Sequence, residues 1–323
     1  MDSLPPLSTD TAYKRITATS AGATLTKFPA RIPNRGAATF QLQILLDRAG
    51  FSPGTIDGNW GPNAAKALKW FRVANGMDSV TPGRAASIDR ETYQKLVAAG
   101  QTTPLVTTYE VTPDDMEGPF IQIPNSVYDQ AKLDCLCYSS PAEELAEKFH
   151  TSEQTLRQLN PRVNLKSVAA GTSLQVPNVG ENSPTSSGVA KLIISTKGYW
   201  THAVDASGNI LAHFPSTLGA GYDPSPTGEF RVTYVAQDPA FHYQPSLMAE
   251  VPDTRPTARL KPGPNSPVGT IWIALSKPHY GIHGTSSPET IGYANSHGCV
   301  RLTNWDAERL GTIVRAGTPV EFQ

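Results

Sequence analysis

The stretch that decides the fold is residues 296–302, SHGCVRL. In it, Cys299 directly follows His297 and Gly298, and a second His-Gly pair begins upstream at His283. Thiolate catalysis needs a thiol, a base that takes its proton, and hydrogen-bond donors for the oxyanion that forms. The stretch therefore predicts that Cys299 is a nucleophile activated by a neighbouring imidazole. The small Gly298 would let backbone N–H groups approach the developing negative charge.

Two plainer interpretations of the same residues have to be weighed. A lone cysteine is usually a small buried hydrophobic residue, and a lone histidine is usually a structural one. A zinc site is a second alternative, but only two histidines and one cysteine gather here. No C-x-x-C pair and no carboxylate at ligand spacing accompanies them. The sequence therefore predicts no metal site.

A wider pattern resembles the signature of the L,D-transpeptidase catalytic domain. It consists of His283-Gly284-Thr285, then residues 296–299 (SHGC), then Arg301. Residues 226–230 (PTGEF) and 262–269 (PGPNSPVG) also match. The resemblance covers about residues 188–323. It implies a β-sandwich domain that cross-links peptidoglycan through a cysteine thioester and needs no cofactor.

The resemblance assigns the catalytic roles. Cys299 would be the nucleophile and His283 the general base, and the backbone carbonyl of Gly284 would fix the tautomer of that base. His297 would either take part in proton transfer or shape the loop before the cysteine. These three side chains, Cys299, His283 and His297, form the predicted catalytic set.

Five further residues are expected around this set. Backbone N–H groups at Gly298 and the residue after it would hold the oxyanion, with Tyr280 a candidate side-chain contributor. Ser296 would act directly or shape the loop. Arg301 would bind a substrate carboxylate or brace the loop. Thr285 would stabilise the turn after the base.

Composition limits the classes of function. The chain has 323 residues, a net charge of −1 and 39% hydrophobic residues, so neither nucleic acid nor a membrane surface is an expected partner. The sequence contains no run of 18 apolar residues, so it predicts no transmembrane helix. Residues 1–6 lack the features of a signal peptide. Action on the wall would place the protein in the periplasm or cell-wall compartment, with an export signal already removed.

Two other cysteines, Cys135 and Cys137, are separated by a single residue. A disulfide at that spacing would be strained, and two sulfurs alone make a poor metal site. We expect both to be structural, or at most a redox-sensitive pair.

The N-terminal third divides into a leader and a helical domain. Residues 1–36 are expected to be extended, and residues 37–100 carry apolar residues at helical spacing for three helices. Residues 57–61 (DGNWG) resemble the three-helix peptidoglycan-binding domain. On that interpretation Asp57 and Trp60 contact glycan, with the indole stacked on a sugar face. The alternative is a helical spacer in which both residues hold the loop.

Residues 108–179 follow the order strand, helix, helix, strand, which is similar to a LysM glycan-binding module. About 27 extra residues, 114–140, separate its first strand from its first helix, and they carry both Cys135 and Cys137. The module would bind glycan or only pack beside the enzyme. Residues 188–323 would then form the mainly-β catalytic domain. The predicted chain is therefore multidomain, with a small three-helix domain and an α+β LysM-like domain before the catalytic one.

The resulting hypothesis is a wall-targeted L,D-transpeptidase whose partners are peptidoglycan stem peptides and glycan strands. The acceptor would be a second stem or another amine, for instance that of an outer-membrane lipoprotein. Two alternatives stay open. One is an L,D-carboxypeptidase, or a hydrolase that cuts cross-links or releases protein, on the same cysteine scaffold. The other is a wall-binding protein without catalysis.

Overall fold

The structure is a computed structural model that describes residues 16–17, 27–79, 86–100, 104–180, 188–248, 251–252 and 254–323. Most of the predicted leader, residues 1–36, lies outside these ranges. The chain divides into two compact units. The first holds Met1–Glu117 and Pro141–Asn182, and the second holds Gly118–Ser140 and Ser183–Gln323.

The helices are α1 (Ala37–Arg48), α2 (Pro62–Ala74), α3 (Arg90–Gly100), α4 (Val127–Gln130), α5 (Pro141–Lys148), α6 (Glu153–Leu159) and α7 (Asn304–Ile313). The strands are β1 (Ala30–Ile32), β2 (Ala86–Ile88), β3 (Val106–Glu110), β4 (Ser173–Pro177), β5 (Lys191–Ser195), β6 (Trp200–Val204), β7 (Ile210–Pro215), β8 (Leu218–Gly219), β9 (Gly228–Gln237), β10 (Phe241–Tyr243), β11 (Ala258–Leu260), β12 (Ile271–Leu275), β13 (Gly281–His283), β14 (Asn295–Ser296), β15 (Val300–Arg301) and β16 (Pro319–Phe322). No helix within the described ranges has the length and apolar character needed to cross a membrane.

The first unit begins with the three expected helices, α1 to α3. Pro62 opens α2, where its missing N–H costs nothing because the first helical N–H groups have no intrahelical partner. Asp89 caps α3, since its Oδ1 accepts the Thr92 N–H at 2.7 Å. Phe51 and Phe71 meet edge to face with ring centroids 5.4 Å apart, and both are buried. These contacts give the helices an apolar core.

The second half of this unit has the expected order of strand, helix, helix and strand. β3 and β4 pair antiparallel, and a buried cluster lies between them and helices α5 and α6. Ser152 caps α6 by accepting the Thr155 N–H at 3.2 Å. The assignment of these residues to the LysM family remains a prediction.

Direct contacts join the two halves of the first unit. His150 Nδ1 lies 3.1 Å from Asp47 Oδ2, and both side chains are buried. The Ile56 N–H donates to the His150 carbonyl oxygen at 2.8 Å, and the Thr151 hydroxyl donates to the Ile56 carbonyl oxygen at 2.5 Å. The helical domain and the strand–helix–helix–strand module therefore pack as one body.

The second unit is built on one eight-stranded sheet in the order β15-β13-β12-β9-β16-β5-β6-β7. Most neighbours run antiparallel, but β16 pairs parallel with β5 and β13 pairs parallel with β15. The predicted mainly-β class is confirmed. β9 links the two halves of this sheet, because its first residues pair with β16 and its last residues pair with β12. Helix α7 contributes Ala307, Leu310 and Ile313 to the core that the sheet covers.

Residues 118–140 of the inserted segment belong to this second unit. Cys135 and Cys137 are joined in a disulfide, which agrees with a structural or redox-sensitive pair. Between them, Leu136 is buried; its N–H donates to the Pro262 carbonyl oxygen and its carbonyl oxygen accepts from the Asn265 N–H, both at 2.9 Å. These backbone bonds attach the inserted segment to the proline-rich span 236–268.

Candidate active site

Strand pairing brings the segments that carry the predicted base and the predicted nucleophile side by side. β13 and β15 pair in parallel, with Ile282 opposite Val300 and His283 opposite Arg301. Cys299 lies in a bend directly before β15, two residues before Arg301. The Arg301 guanidinium acts electrostatically on both the Cys299 thiol and the His283 imidazole, so both groups lie near one cation.

The His283 ring is fixed in orientation and in tautomer. Its Nδ1 lies 2.7 Å from the Gly284 carbonyl oxygen, which can only accept, so Nδ1 carries the proton and Nε2 keeps its lone pair. The indole of Trp272 stacks on the imidazole, with ring centroids 5.4 Å apart and planes 19° from parallel. The expected hydrogen bond to Gly284 is therefore present.

The charge state of His283 follows from its surroundings. Burial, with a smaller contribution from the nearby Arg301 guanidinium, lowers the pKa of this imidazole to about 3, although the bond to the Gly284 carbonyl opposes both effects. The ring is therefore neutral at pH 7, which is the state that can accept a proton.

Cys299 is the free cysteine of the described residues, and its side chain is half-buried. Burial raises the pKa of its thiol, whereas the backbone N–H of Gly281 and the charge of Arg301 pull that pKa down. Its Sγ atom contacts the His279 carbonyl oxygen at 3.6 Å. The resting cysteine is therefore a neutral thiol with a cation and a backbone donor nearby.

The loop before the cysteine requires its glycine. Gly298 has a φ of +92°, and a Cβ atom there would lie 2.7 Å from Cε1 of Tyr280. The Ser296 hydroxyl donates to the Cys299 carbonyl oxygen at 2.5 Å, which closes the loop from the other side. Tyr280, half-buried, is thus a wall of the loop, and Ser296 has a shaping role.

Comparison with known proteins connects this geometry to a family. Residues 190–322 match the family model described as the L,D-transpeptidase catalytic domain, and residues 35–96 match a putative peptidoglycan binding domain. A putative L,D-transpeptidase of Bacillus licheniformis is 31% identical over 180 residues, which cover 56% of this chain and 92% of that protein. The chain belongs to the L,D-transpeptidase family. Its counterpart in Bacillus subtilis is 30% identical over 176 residues, covering 54% of this chain and 89% of that protein.

Solved L,D-transpeptidases are also similar to this chain. A crystal structure of residues 123–326 of the enzyme from Xylanimonas cellulosilytica has a TM-score of 0.39 and 16% identity, over 93% of this chain and 100% of that one. L,D-transpeptidase 3 from Mycobacterium tuberculosis has a TM-score of 0.35 and 17% identity, over 49% of this chain and 76% of that one. The predicted resemblance to the family and to its peptidoglycan-binding domain is thus confirmed by the matches to sequence.

Ser225, which the sequence motifs did not identify, contacts the loop that precedes Cys299. It is buried, its hydroxyl donates to the Gly298 carbonyl oxygen at 2.8 Å, and its Oγ accepts the Gly219 N–H at 2.8 Å. The only sequence signal is its position directly before the matching segment 226–230.

Arg301 and Thr285 occupy different surroundings in this L,D-transpeptidase. Arg301 is half-buried, its Nη1 lies 3.5 Å from the Asn295 carbonyl oxygen, and its buried Nε has no hydrogen-bond partner among the described residues. Thr285 is buried, and its Oγ1 accepts the Ser287 N–H at 3.2 Å, so it shapes the turn after the base. His297 lies beside Gly298 in the loop and is half-buried.

The predicted glycan-binding residues lie in the first unit. Asp57 Oδ1 accepts from Gln43 Nε2 at 3.0 Å and from the Asn59 N–H at 2.8 Å, while Gln43 Oε1 accepts the Gly58 N–H at 2.7 Å. Asp57 therefore holds the loop together. Trp60 is half-buried on the same loop, and a contact of either side chain with glycan remains a prediction.

Proposed function

We propose that this chain is an L,D-transpeptidase that acts on peptidoglycan tetrapeptide stems through a thioester on Cys299. One observation carries the proposal. His283 is held with its Nδ1–H on the Gly284 carbonyl, so its Nε2 keeps a basic lone pair, and Arg301 lies near both this imidazole and the Cys299 thiol. Membership of the L,D-transpeptidase family supplies the reaction class.

In the first half-reaction, Nε2 of His283 takes the thiol proton as Sγ of Cys299 attacks the carbonyl of the third stem residue. That residue is of the meso-diaminopimelate type. The tetrahedral intermediate collapses, its C–N bond to D-alanine breaks, and the leaving amine receives the proton from His283. The products of this step are a thioester on Cys299 and free D-alanine.

In the second half-reaction, an amine attacks the thioester carbon. His283 takes the proton from that amine, a new amide forms, and the cysteine leaves as a thiol. A second stem as acceptor gives a 3-3 cross-link, and a lysine amine of an outer-membrane lipoprotein would give protein attachment. Water as acceptor would turn the same residues into a carboxypeptidase or hydrolase.

The resting charge states support a general-base mechanism over a preformed ion pair. His283 is neutral and the pKa of Cys299 is raised, both chiefly because the groups are removed from water. The proton therefore moves during the attack. Arg301, which lowers the pKa of Cys299 from nearby, would stabilise the negative charge that develops or bind a stem carboxylate.

The oxyanion would be held by backbone N–H groups at Gly298 and Cys299, with the Tyr280 hydroxyl as a candidate third donor. Gly298 permits this because any larger residue would collide with the Tyr280 ring. His297 would shape the loop or assist proton transfer.

The first unit would direct the enzyme to the wall. Its match to a putative peptidoglycan binding domain supports glycan or stem binding, with Trp60 as the candidate stacking surface. A periplasmic or cell-wall location would follow from that substrate.

The test is mass spectrometry of disaccharide-tetrapeptide muropeptides incubated with the full chain. We expect free D-alanine together with a cross-linked dimer, and neither from Cys299→Ala. If D-alanine is released and a tripeptide is the sole other product, the enzyme is a hydrolase and not a transferase. An absence of any product, with a correctly folded protein, would refute the enzyme assignment.

A further inference from the structure

The residue at the start of α7, Asn304, lies between the catalytic turn and the proline-rich span. Its side chain is buried, with 2% of its surface exposed. Its Oδ1 accepts the Thr285 N–H at 3.0 Å, and its Nδ2 donates to the Pro264 carbonyl oxygen at 3.1 Å. The amide is thus held at both ends.

The Thr285 N–H and the Gly284 carbonyl are the two ends of one peptide group. That carbonyl is the oxygen that accepts His283 Nδ1–H at 2.7 Å. Asn304 therefore holds the N–H end of the peptide group whose oxygen end orients the base. Hydrogen bonds arranged in such a chain polarise one another, so the bond to the imidazole is strengthened by the bond to the amide.

The packing around the amide leaves it little freedom to move. A Cβ atom on Gly284 would lie 2.2 Å from Asn304 Oδ1, and one on Gly269 would lie 2.0 Å from the same atom. Both positions must therefore be glycine for the amide to fit. The Thr303 hydroxyl caps the same helix by accepting the Asp306 N–H at 3.2 Å, and it makes no contact with the amide of Asn304 through that bond.

We propose that Asn304 is a positioning residue for the catalytic base: through the Gly284–Thr285 peptide group it keeps His283 in the tautomer whose Nε2 accepts the thiol proton. This rests on the proposed function for its catalytic consequence. In a triad the third member orients the base directly. Here the Gly284–Thr285 peptide group lies between His283 and Asn304, and the buried side-chain amide of Asn304 fixes that peptide group.

The test compares three variants of the full chain with wild type. Asn304→Ala removes both bonds of the amide. Asn304→Asp keeps an oxygen for the Thr285 N–H. Thr303→Ala is the matched control, because it removes a cap of the same helix, at a cost of about 1 kcal/mol, and leaves the peptide group untouched.

Two measurements are made on each variant. The first is the tautomer of His283, from the nitrogen chemical shifts of the labelled imidazole, which needs no substrate. The second is the rate at which a carbapenem acylates Cys299. Circular dichroism and thermal unfolding establish that each variant is folded.

We expect Asn304→Ala to populate the Nε2–H tautomer of His283 and to acylate about tenfold more slowly, the loss expected for one orienting hydrogen bond. Asn304→Asp should keep the Nδ1–H tautomer, and Thr303→Ala should keep both tautomer and rate. An unchanged tautomer in Asn304→Ala would overturn the inference, as would a change of equal size in Thr303→Ala. If Asn304→Ala does not fold, loss of the Nδ1–H tautomer in Asn304→Asp would overturn it. A wild-type protein that no acyl donor modifies refutes the proposed function instead, because the tautomer measurement is independent of it.

Discussion

The hydroxyl of Ser225 donates to the carbonyl oxygen of Gly298 at 2.8 Å, and this bond sets the direction of the peptide group that leads into the nucleophile. The carbonyl and the N–H of a trans peptide point in opposite directions. With the Gly298 carbonyl turned toward Ser225, the N–H of Cys299 points the other way. Such a fixed donor is what an oxyanion requires, because it needs no reorganisation during the reaction.

Replacing Ser225 should therefore slow acylation. We expect Ser225→Ala to acylate at least about tenfold more slowly, with a smaller effect on substrate binding, because the donor acts on the charge of the transition state. Stopped-flow acylation with a chromogenic acyl donor measures the rate. Ser216→Ala is the control, since Ser216 is also buried and bonds to Thr201 Oγ1 at 2.9 Å. Equal rates in the two variants would contradict the assigned role.

The two motif histidines should differ in importance. We expect His283→Ala to lose at least about a hundredfold in acylation rate, which is the low end of what a general base contributes. His297→Ala should lose less. Loss of acylation in His297→Ala, with activity retained in His283→Ala, would reverse the assignment.

The pH dependence of wild-type acylation tests the same base. The pKa of His283 is lowered to about 3 by burial, so the imidazole is already neutral throughout the usual pH range. Protonation of His283 should therefore not reduce the acylation rate between about pH 5 and pH 8. The rate should fall in acid only as the pH approaches the lowered pKa of this imidazole. A limb near pH 6.5 that disappears in His283→Ala would show that the base titrates as an ordinary exposed histidine.

Folding stability should fall in mild acid because burial lowers the pKa of two imidazoles. Burial lowers the pKa of both His202 and His283 to about 3. Unfolded histidines bind protons below about pH 6.5, so between these values the unfolded chain binds more protons and stability rises with pH. Each histidine should contribute a slope of about 1.4 kcal/mol per pH unit. Urea unfolding of wild type and His202→Gln between about pH 5 and pH 6 should show the slope reduced by that amount in the variant, and an unchanged slope would contradict the lowered pKa.

Wall binding should depend on Trp60. If the indole of Trp60 stacks on a sugar, less of the Trp60→Ala variant should sediment with insoluble peptidoglycan. The expected loss of binding free energy is about 1–3 kcal/mol, as for other aromatic stacking contacts. Trp70→Ala is the matched control, because Trp70 is also half-buried but lies on α2, outside the loop. If both variants sediment with peptidoglycan to the same extent, Trp60 does not bind glycan and only stabilises its loop. The full chain is the appropriate protein, since residues 118–140 belong with the catalytic unit and a truncation at residue 188 would remove them.

The sequence predicted the parts of the site that a short motif contains. Cys299, Gly298 and the His283–Gly284 pair are local features, and the need for a glycine beside Tyr280 follows from the close approach of the loop. Ser225 and Asn304 were not predicted, because each acts through a contact with a residue distant in sequence.

The packing of residues 118–140 also depends on tertiary structure. Nothing in the LysM-like pattern indicates that Leu136 exchanges backbone bonds with the proline-rich span.

The central claim is that Cys299 carries the acyl group, and intact-protein mass spectrometry tests it most directly. The full chain is mixed with a tetrapeptide donor, quenched in acid to preserve thioesters, and digested for peptide mapping. The account predicts an adduct equal to the donor less D-alanine, located on the peptide that contains Cys299, removed by hydroxylamine and absent in Cys299→Ala. An adduct on another residue, or turnover by Cys299→Ala, would contradict it.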